Sequence, residues 1–286
     1  MVGHYISRQG SVSSWIARAG TFFLTYRFPV YILTFLLIVG PLRLSYVLVH
    51  PEVVIVALCF SSLMAFIYLF NKVTDHIEDS INVHGQPVAL SARNPVLVVS
   101  IVCLVIPLAY LVVVPAYLPW YLTLAALGYF YSKPLPFTNP PLRLKGVLII
   151  KNITAALGWA IPSSGIYSVI IPGYTPTDFW IHFGALFCFS LMVELLWDVR
   201  DMEGDRVAGV HTVANTFGVR VTRALAVVLL GGFLLLLGVG AHPYLSLFVA
   251  ALSLAFIFAT NPQRKAGFYH AIFAVWISAL TVLFFT

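Results

Sequence analysis

Nine stretches of mostly apolar residues run along the chain, each bounded by Pro, Gly or charged positions: Phe22–Val39, Val53–Phe70, Pro95–Val113, Ala116–Tyr131, Val147–Ile170, Phe179–Trp197, Val221–Val239, Pro243–Ala259 and Phe268–Phe285. Their lengths approach the ~20 residues that a helix needs to cross bilayer hydrocarbon. The third and fourth are separated only within a short Val-Pro-Ala-Tyr-Leu-Pro stretch, Val114 to Pro119, and the seventh and eighth only by Gly240, Ala241 and His242, so both pairs read as tight hairpins. The pattern predicts an all-α, polytopic integral membrane protein with about nine transmembrane helices, forming a single domain over residues 1–286. Residues 1–20 carry Arg8 and Arg18 without the compact apolar stretch and small-residue cleavage site of a secretory leader, and read as an interfacial or flexible segment.

Composition removes the soluble alternative. With 60% hydrophobic and 9% charged residues, the chain has too little charge to clothe a water-soluble core. The net charge of +6 is scattered between apolar runs rather than gathered in a stripe, so no nucleic-acid partner is expected. Instead the basic residues fall on alternate connections. Arg8, Arg18 and Arg27 precede or open the first segment, Lys72 and Arg93 follow the second, and Lys133, Arg143, Lys145 and Lys151 follow the fourth. Arg200, Arg206, Arg220 and Arg223 follow the sixth, Arg264 and Lys265 the eighth, and Arg43 alone lies opposite. Positively charged loops stay cytoplasmic, which places the N-terminus and these loops on that side. Cys59, Cys103 and Cys188 sit inside apolar segments without paired spacing and read as small core hydrophobes.

Seven of the ten carboxylates crowd into two short segments, Asn71-Lys-Val-Thr-Asp75-His-Ile-Glu78-Asp79 and Asp198-Val-Arg-Asp201-Met-Glu203-Gly-Asp205. Each follows an apolar helix, and both lie on the face that the basic residues mark. Asn71, Asp75 and Asp79 recur every four residues, as do Asp201 and Asp205, with Asp198 three residues before Asp201; on a continuing helix such spacing keeps oxygen ligands on one face. Like charges so placed repel, and a cation would offset the cost. Oxygen-only donors favour a hard ion such as Mg²⁺, which commonly bridges one or two carboxylates to substrate phosphates. The alternative reading is a pair of solvated helix ends, with Asn71 a cap and Gly204 a terminator. In a chain so poor in charge, ionisable residues at membrane helix ends are functional candidates.

These segments resemble the signatures of the UbiA superfamily of intramembrane prenyltransferases, Asn-Asp-x-x-Asp-x-x-x-Asp and a later Asp-x-x-x-Asp. Asn71, Asp75 and Asp79 match the first; Asp201 and Asp205 match the second, with Asp198 in the place of an upstream Asp found in some branches. The run Gly204 to Thr212 and the stretch Tyr131-Ser132-Lys133-Pro134, leading into Leu142-Arg143-Leu144-Lys145 and Lys151-Asn152, are similar to the family as well. The resemblance covers essentially the whole chain. Lys72 departs from it, standing where Asp is usual, and an Arg-Pro-containing stretch is replaced by Asn82 to Arg93.

The resemblance implies a lipid-accessible central chamber and a Mg²⁺ cofactor. Asn71, Asp75, Asp79, Asp198, Asp201 and Asp205 would be metal ligands, with Asp75, Asp79, Asp201 and Asp205 central to catalysis. Lys133, Arg143, Lys145, Lys151, Asn152, Tyr131 and Lys72 are the candidates for contact with an isoprenyl diphosphate. For the basic members, topology or a lipid head-group contact is the competing explanation. The implied reaction is prenyl transfer to a lipophilic acceptor in contact with membrane lipids; cyclisation of the donor without an acceptor shares the same first half, and Lys72 leaves that branch open. A transporter would instead carry its ionisable residues near the bilayer midplane. Phe66, Tyr68, Tyr129, Tyr131 and Trp197 lie near the expected mouth and Trp159 deeper, as cation-stabilising faces or as core and interfacial belt. Glu194, one turn before Asp198, reads as a proton acceptor, a support for a ligand, or the partner of a basic neighbour.

Overall fold

The computed structural model describes residues 28–44, 50–75, 88–139, 141–237 and 243–264, with short helical pieces at 268–269, 271–272 and 275–276. The apolar runs become helices: α1 (Phe28–Leu44), α2 (Pro51–Thr74), α3 (Arg93–Leu111), α4 (Leu118–Ser132), α5 (Ile150–Ile170), α6 (Pro176–Val207), α7 (Val213–Leu237) and α8 (Pro243–Ala259). Among the described residues there is no strand. Five of these stretches are long and apolar enough to cross a membrane, and α1 and α8 are shorter apolar helices. The protein is an all-α integral membrane protein. The ninth expected segment, Phe268–Phe285, falls mostly outside the described residues, as do residues 1–20 and the turn between α7 and α8, so the described helices do not by themselves give the count of nine.

The outer faces carry Val98, Val99, Val102, Val105 and Ile106 on α3 and Val228 and Leu235 on α7, all exposed. Apolar patches of that extent belong against lipid rather than water. Inside, two separate cores form. The first unites Ile38, Phe60, Leu63, Leu111, Tyr121, Leu124 and Ile166 from α1 to α5; the second unites Met192, Leu196, Ala226, Leu230, Phe256 and Trp276 from α6 onward. Tyr121 locks α4 to α3 by donating to the Leu104 carbonyl at 2.7 Å, and Ser62 on α2 donates to that of Cys103 at 2.9 Å.

The sequence sets the key boundaries. Pro115 and Pro119 flank the turn into α4, giving the expected tight hairpin after α3. Thr175 and Asp178 form a reciprocal capping box at the start of α6, with Pro176 in the first turn. At its other end α6 runs ten residues past the predicted limit of Trp197. At 1.5 Å per residue its 32 residues make about 48 Å, well beyond the ~30 Å hydrocarbon layer, so part of the helix extends past what is needed to span it. Gly209, at φ +71°, stops it: the Val210 N–H donates to the Asp205 carbonyl and the Gly209 N–H to that of Arg206, the paired closure that a left-handed residue permits. α7 begins earlier than predicted, at Val213, because Thr212 and Asn215 cap it reciprocally; it breaks at Gly218 and resumes.

Candidate active site

The extension of α6 is the first wall of the site. Asp198, Asp201 and Asp205 lie on one helix face, and all three line a single cavity. Across from them, the first turn of α5 supplies Lys151 and Asn152. Lys151 Nζ reaches Asp198 Oδ1 at 2.8 Å and Asp205 Oδ2 at 3.1 Å, while Asn152 Nδ2 donates to Asp198 Oδ2 at 2.8 Å. The turn that aims this pair is unusual. Ile149, at φ +68°, is the centre of a γ-turn in which the Ile150 N–H donates to the Leu148 carbonyl at 2.8 Å, a conformation that a β-branched residue seldom adopts.

The second wall is the end of α2. Asn71 Oδ1 accepts from Ser132 Oγ, at the end of α4, at 2.9 Å. Asp75 is the C-cap of α2, its N–H donating to the Asn71 carbonyl at 2.8 Å, so the described helix stops where the expected carboxylate face would continue. Its carboxylate is paired with Lys145, buried on the three-residue turn Leu144–Gly146. Asp79 lies outside the described residues.

Arg200 belongs to the α6 wall and was read from the sequence only as a marker of topology. It is 8% exposed and grips Asp201 with Nε to Oδ1 at 2.7 Å and Nη2 to Oδ2 at 2.5 Å. Its guanidinium lies 4.1 Å from the Trp197 ring centroid and 5.8 Å from that of Tyr269. A planar fork that chelates a carboxylate while stacking on aromatic faces is a use that Lys cannot match. Its one sequence signal was its position inside the acidic segment.

The cavity has a volume of about 340 Å³. Asn71, Asp75, Lys145, Lys151, Glu194, Asp198, Arg200, Asp201 and Asp205 line its polar end, and Leu33, Leu37, Met64, Leu124, Trp159 and Leu186 are among its apolar walls. Tyr68, Tyr131 and Trp197 also line it, whereas Phe66 packs on Phe70 and Tyr129 is exposed. Of the other diphosphate candidates, Lys72 is buried and Arg143 half-buried, both off the cavity wall; Lys133 is exposed, with its ammonium 5.8 Å from the Phe70 ring centroid. Asn152 sits behind Asp198, and its buried Oδ1 has no hydrogen-bond partner.

Among the described residues, no three His, Cys, Asp or Glu side chains form a closed metal cage. The donor set nonetheless suits Mg²⁺, which keeps waters and uses one or two carboxylates together with phosphate oxygens. Charge makes the same point. Among the described residues, five carboxylates and three cations line the cavity, an excess of two negative charges, against which divalent cations would have to enter with a diphosphate.

Fold and site together define a helical membrane protein in which an acid-lined pocket opens into an apolar chamber. The chain belongs to the UbiA prenyltransferase family, whose model matches residues 33–274. A 4-hydroxybenzoate octaprenyltransferase from Azotobacter vinelandii (strain DJ / ATCC BAA-1303) is 32% identical over 118 residues, spanning 39% of this chain and 39% of the relative's length. A UbiA homolog from Archaeoglobus fulgidus, bound to DMAPP and Mg²⁺, has the same fold, with a TM-score of 0.60 at 18% identity over 93% of this chain and 96% of that one. The structure of a UbiA homolog from the same organism bound to GPP and Mg²⁺ gives 0.60 at 18% identity over 94% and 98%.

Proposed function

We propose that this protein is a Mg²⁺-dependent intramembrane prenyltransferase that ionises an isoprenyl diphosphate and passes the prenyl group to a lipophilic acceptor, with its acidic mouth on the cytoplasmic side. The observation that carries this reading is the single cavity that gathers Asn71, Asp75, Asp198, Asp201 and Asp205 at one end and apolar side chains at the other. The diphosphate and Mg²⁺ in the fold relatives and the transferase named among the sequence relatives point the same way.

Mg²⁺ held by Asn71, Asp75 and Asp79 on one wall and by Asp198, Asp201 and Asp205 on the other would supply positive charge to stabilise the departing diphosphate. Lys145 and Lys151, which neutralise those carboxylates in the structure, stand at the cavity wall where they can turn to phosphate oxygens once the carboxylates are otherwise engaged. Arg200 fixes the Asp201 carboxylate in one orientation. The apolar walls would keep water from the allylic cation, and Tyr68, Tyr131 and Trp159, which line the chamber, would supply aromatic rings to stabilise it. Glu194, about 6 Å deeper along α6 than Asp198 and on the cavity wall, would take the proton that the acceptor loses.

The test is turnover of prenyl diphosphates of increasing length by purified protein with Mg²⁺, with and without a membrane-lipid extract as acceptor source, read by mass spectrometry. A prenylated product that needs both the extract and Mg²⁺ supports the proposal. A cyclic hydrocarbon made without the extract would assign a terpene cyclase instead.

A further inference from the structure

We infer that the chamber takes donors of two or three isoprene units and stops longer ones at a floor formed by Met64, Leu124 and Trp159. This inference rests on the prenyl diphosphate reading above and adds the class of donor.

Two cross-helix contacts mark the level of the mouth: Ser132 to Asn71 joins α4 to α2, and Lys151 to Asp198 joins α5 to α6. Depth can be counted down each helix from there. Met64 lies seven residues below Asn71, Leu124 eight below Ser132, and Trp159 eight below Lys151. At 1.5 Å per residue, these three cavity-lining side chains sit about 10–12 Å beneath the mouth. The lining reaches further on α6, to Leu186, twelve residues or about 18 Å below Asp198, and on α1, to Leu37, whose carbonyl accepts from Tyr167, sixteen residues below Lys151.

Beneath the floor the space is filled. Phe60, Leu63, Tyr121 and Ile166 are each fully buried, and the Phe60 and Tyr121 rings meet edge-on at 5.6 Å between centroids. Tyr121 is further pinned by its hydrogen bond to the Leu104 carbonyl. A tail arriving at Met64 and Leu124 therefore meets a close-packed core that yields little.

A peptide residue extends about 3.3–3.6 Å over three chain bonds, so the four chain bonds of an isoprene unit extend about 5 Å. Two units reach the floor, and a third fits only along the deeper lining, towards Leu186 or Leu37. An eight-unit tail, about 40 Å on the same scale, exceeds every path lined by the described residues. The volume agrees, since 340 Å³ is at the small end of ligand pockets, which run from about 300 to 1,000 Å³.

Gly158 offers a direct way to raise the floor. It lines the chamber seven residues below Lys151, and a Cβ there would meet only the Leu124 Cδ1, at an ordinary 3.6 Å. Gly158→Val therefore projects into the chamber with little disturbance of the fold, and Leu124→Ala changes the same floor in the opposite sense.

The experiment measures binding of the non-ionising thiolodiphosphate analogues of dimethylallyl, geranyl, farnesyl, geranylgeranyl and octaprenyl donors, with Mg²⁺, to the full chain in lipid nanodiscs. Geranyl and farnesyl analogues should bind within a few-fold of each other and the octaprenyl analogue at least tenfold more weakly. Gly158→Val should weaken farnesyl relative to dimethylallyl binding by tenfold or more, and Leu124→Ala should narrow the gap between geranylgeranyl and farnesyl. Octaprenyl binding as tight as geranyl would show that tails leave sideways between helices and would overturn the inference, as would an unaltered length preference in both variants. Absence of binding at every length by folded protein would remove the prenyl diphosphate reading itself, and the inference with it.

Discussion

The two acidic walls meet one cavity in different ways. Asp198, Asp201 and Asp205 ride on one uninterrupted helix whose end is fixed by the closure at Gly209, so their spacing is set by backbone geometry. Asp75 stands where α2 stops and pairs with a lysine carried on a three-residue turn. One wall is a rigid rack and the other a junction of chain ends. A site that must admit a large anion with its cations, and later release it, benefits from one fixed wall and one that adjusts.

The largest expected effect separates the walls directly. Asp198→Ala removes the acceptor of Asn152 and one partner of Lys151 from a buried network, and should cost about 3 kcal/mol of stability. Asp75→Ala leaves Lys145 on a short turn at the mouth that can carry it towards water, and should cost about 1 kcal/mol. Denaturant unfolding in detergent measures both, and equal losses would break the comparison. Next comes Arg200→Lys, which gives up the bidentate grip on Asp201 and the stack on Trp197. It should lower turnover about tenfold while costing only about 1–2 kcal/mol in stability, read from steady-state kinetics and melting together. The smallest change is Gly209→Ala, which forces a Cβ into a left-handed conformation at the end of the rack. A stability loss of about 1 kcal/mol by thermal unfolding is expected, and none would mean that the rack does not depend on that closure.

Much of this arrangement was legible in the sequence because it is written along single helices. Apolar run length gave the helices, and fourfold spacing placed Asp198, Asp201 and Asp205 on one face of a continuing α6. Adjacency between helices is not written that way. The four basic candidates Lys133, Arg143, Lys145 and Lys151 carry the same charge in the same connection, and only packing sends Lys145 and Lys151 to the cavity while leaving Lys133 in the open. Arg200 was hidden for a related reason: its position fits the charge pattern of a membrane loop, and its partner Tyr269 is 69 residues away in sequence. The chamber floor was nearly silent: Trp159 stood out only as an aromatic at depth, and Met64 and Leu124 are unremarkable within apolar runs until three helices bring them level.

Whether both acidic walls serve one Mg²⁺-dependent diphosphate site is read most directly from diphosphate release from geranyl diphosphate, with lipid extract as acceptor source. It should be compared between the native chain, Asp75→Ala and Asp201→Ala, each with Mg²⁺ or with EDTA. Release by the native chain should be abolished by EDTA and restored by Mg²⁺, and each folded variant should lose a thousandfold or more, about 4 kcal/mol in the barrier. Full release by either variant, or release by the native chain that persists in EDTA, would contradict a shared Mg²⁺-dependent site.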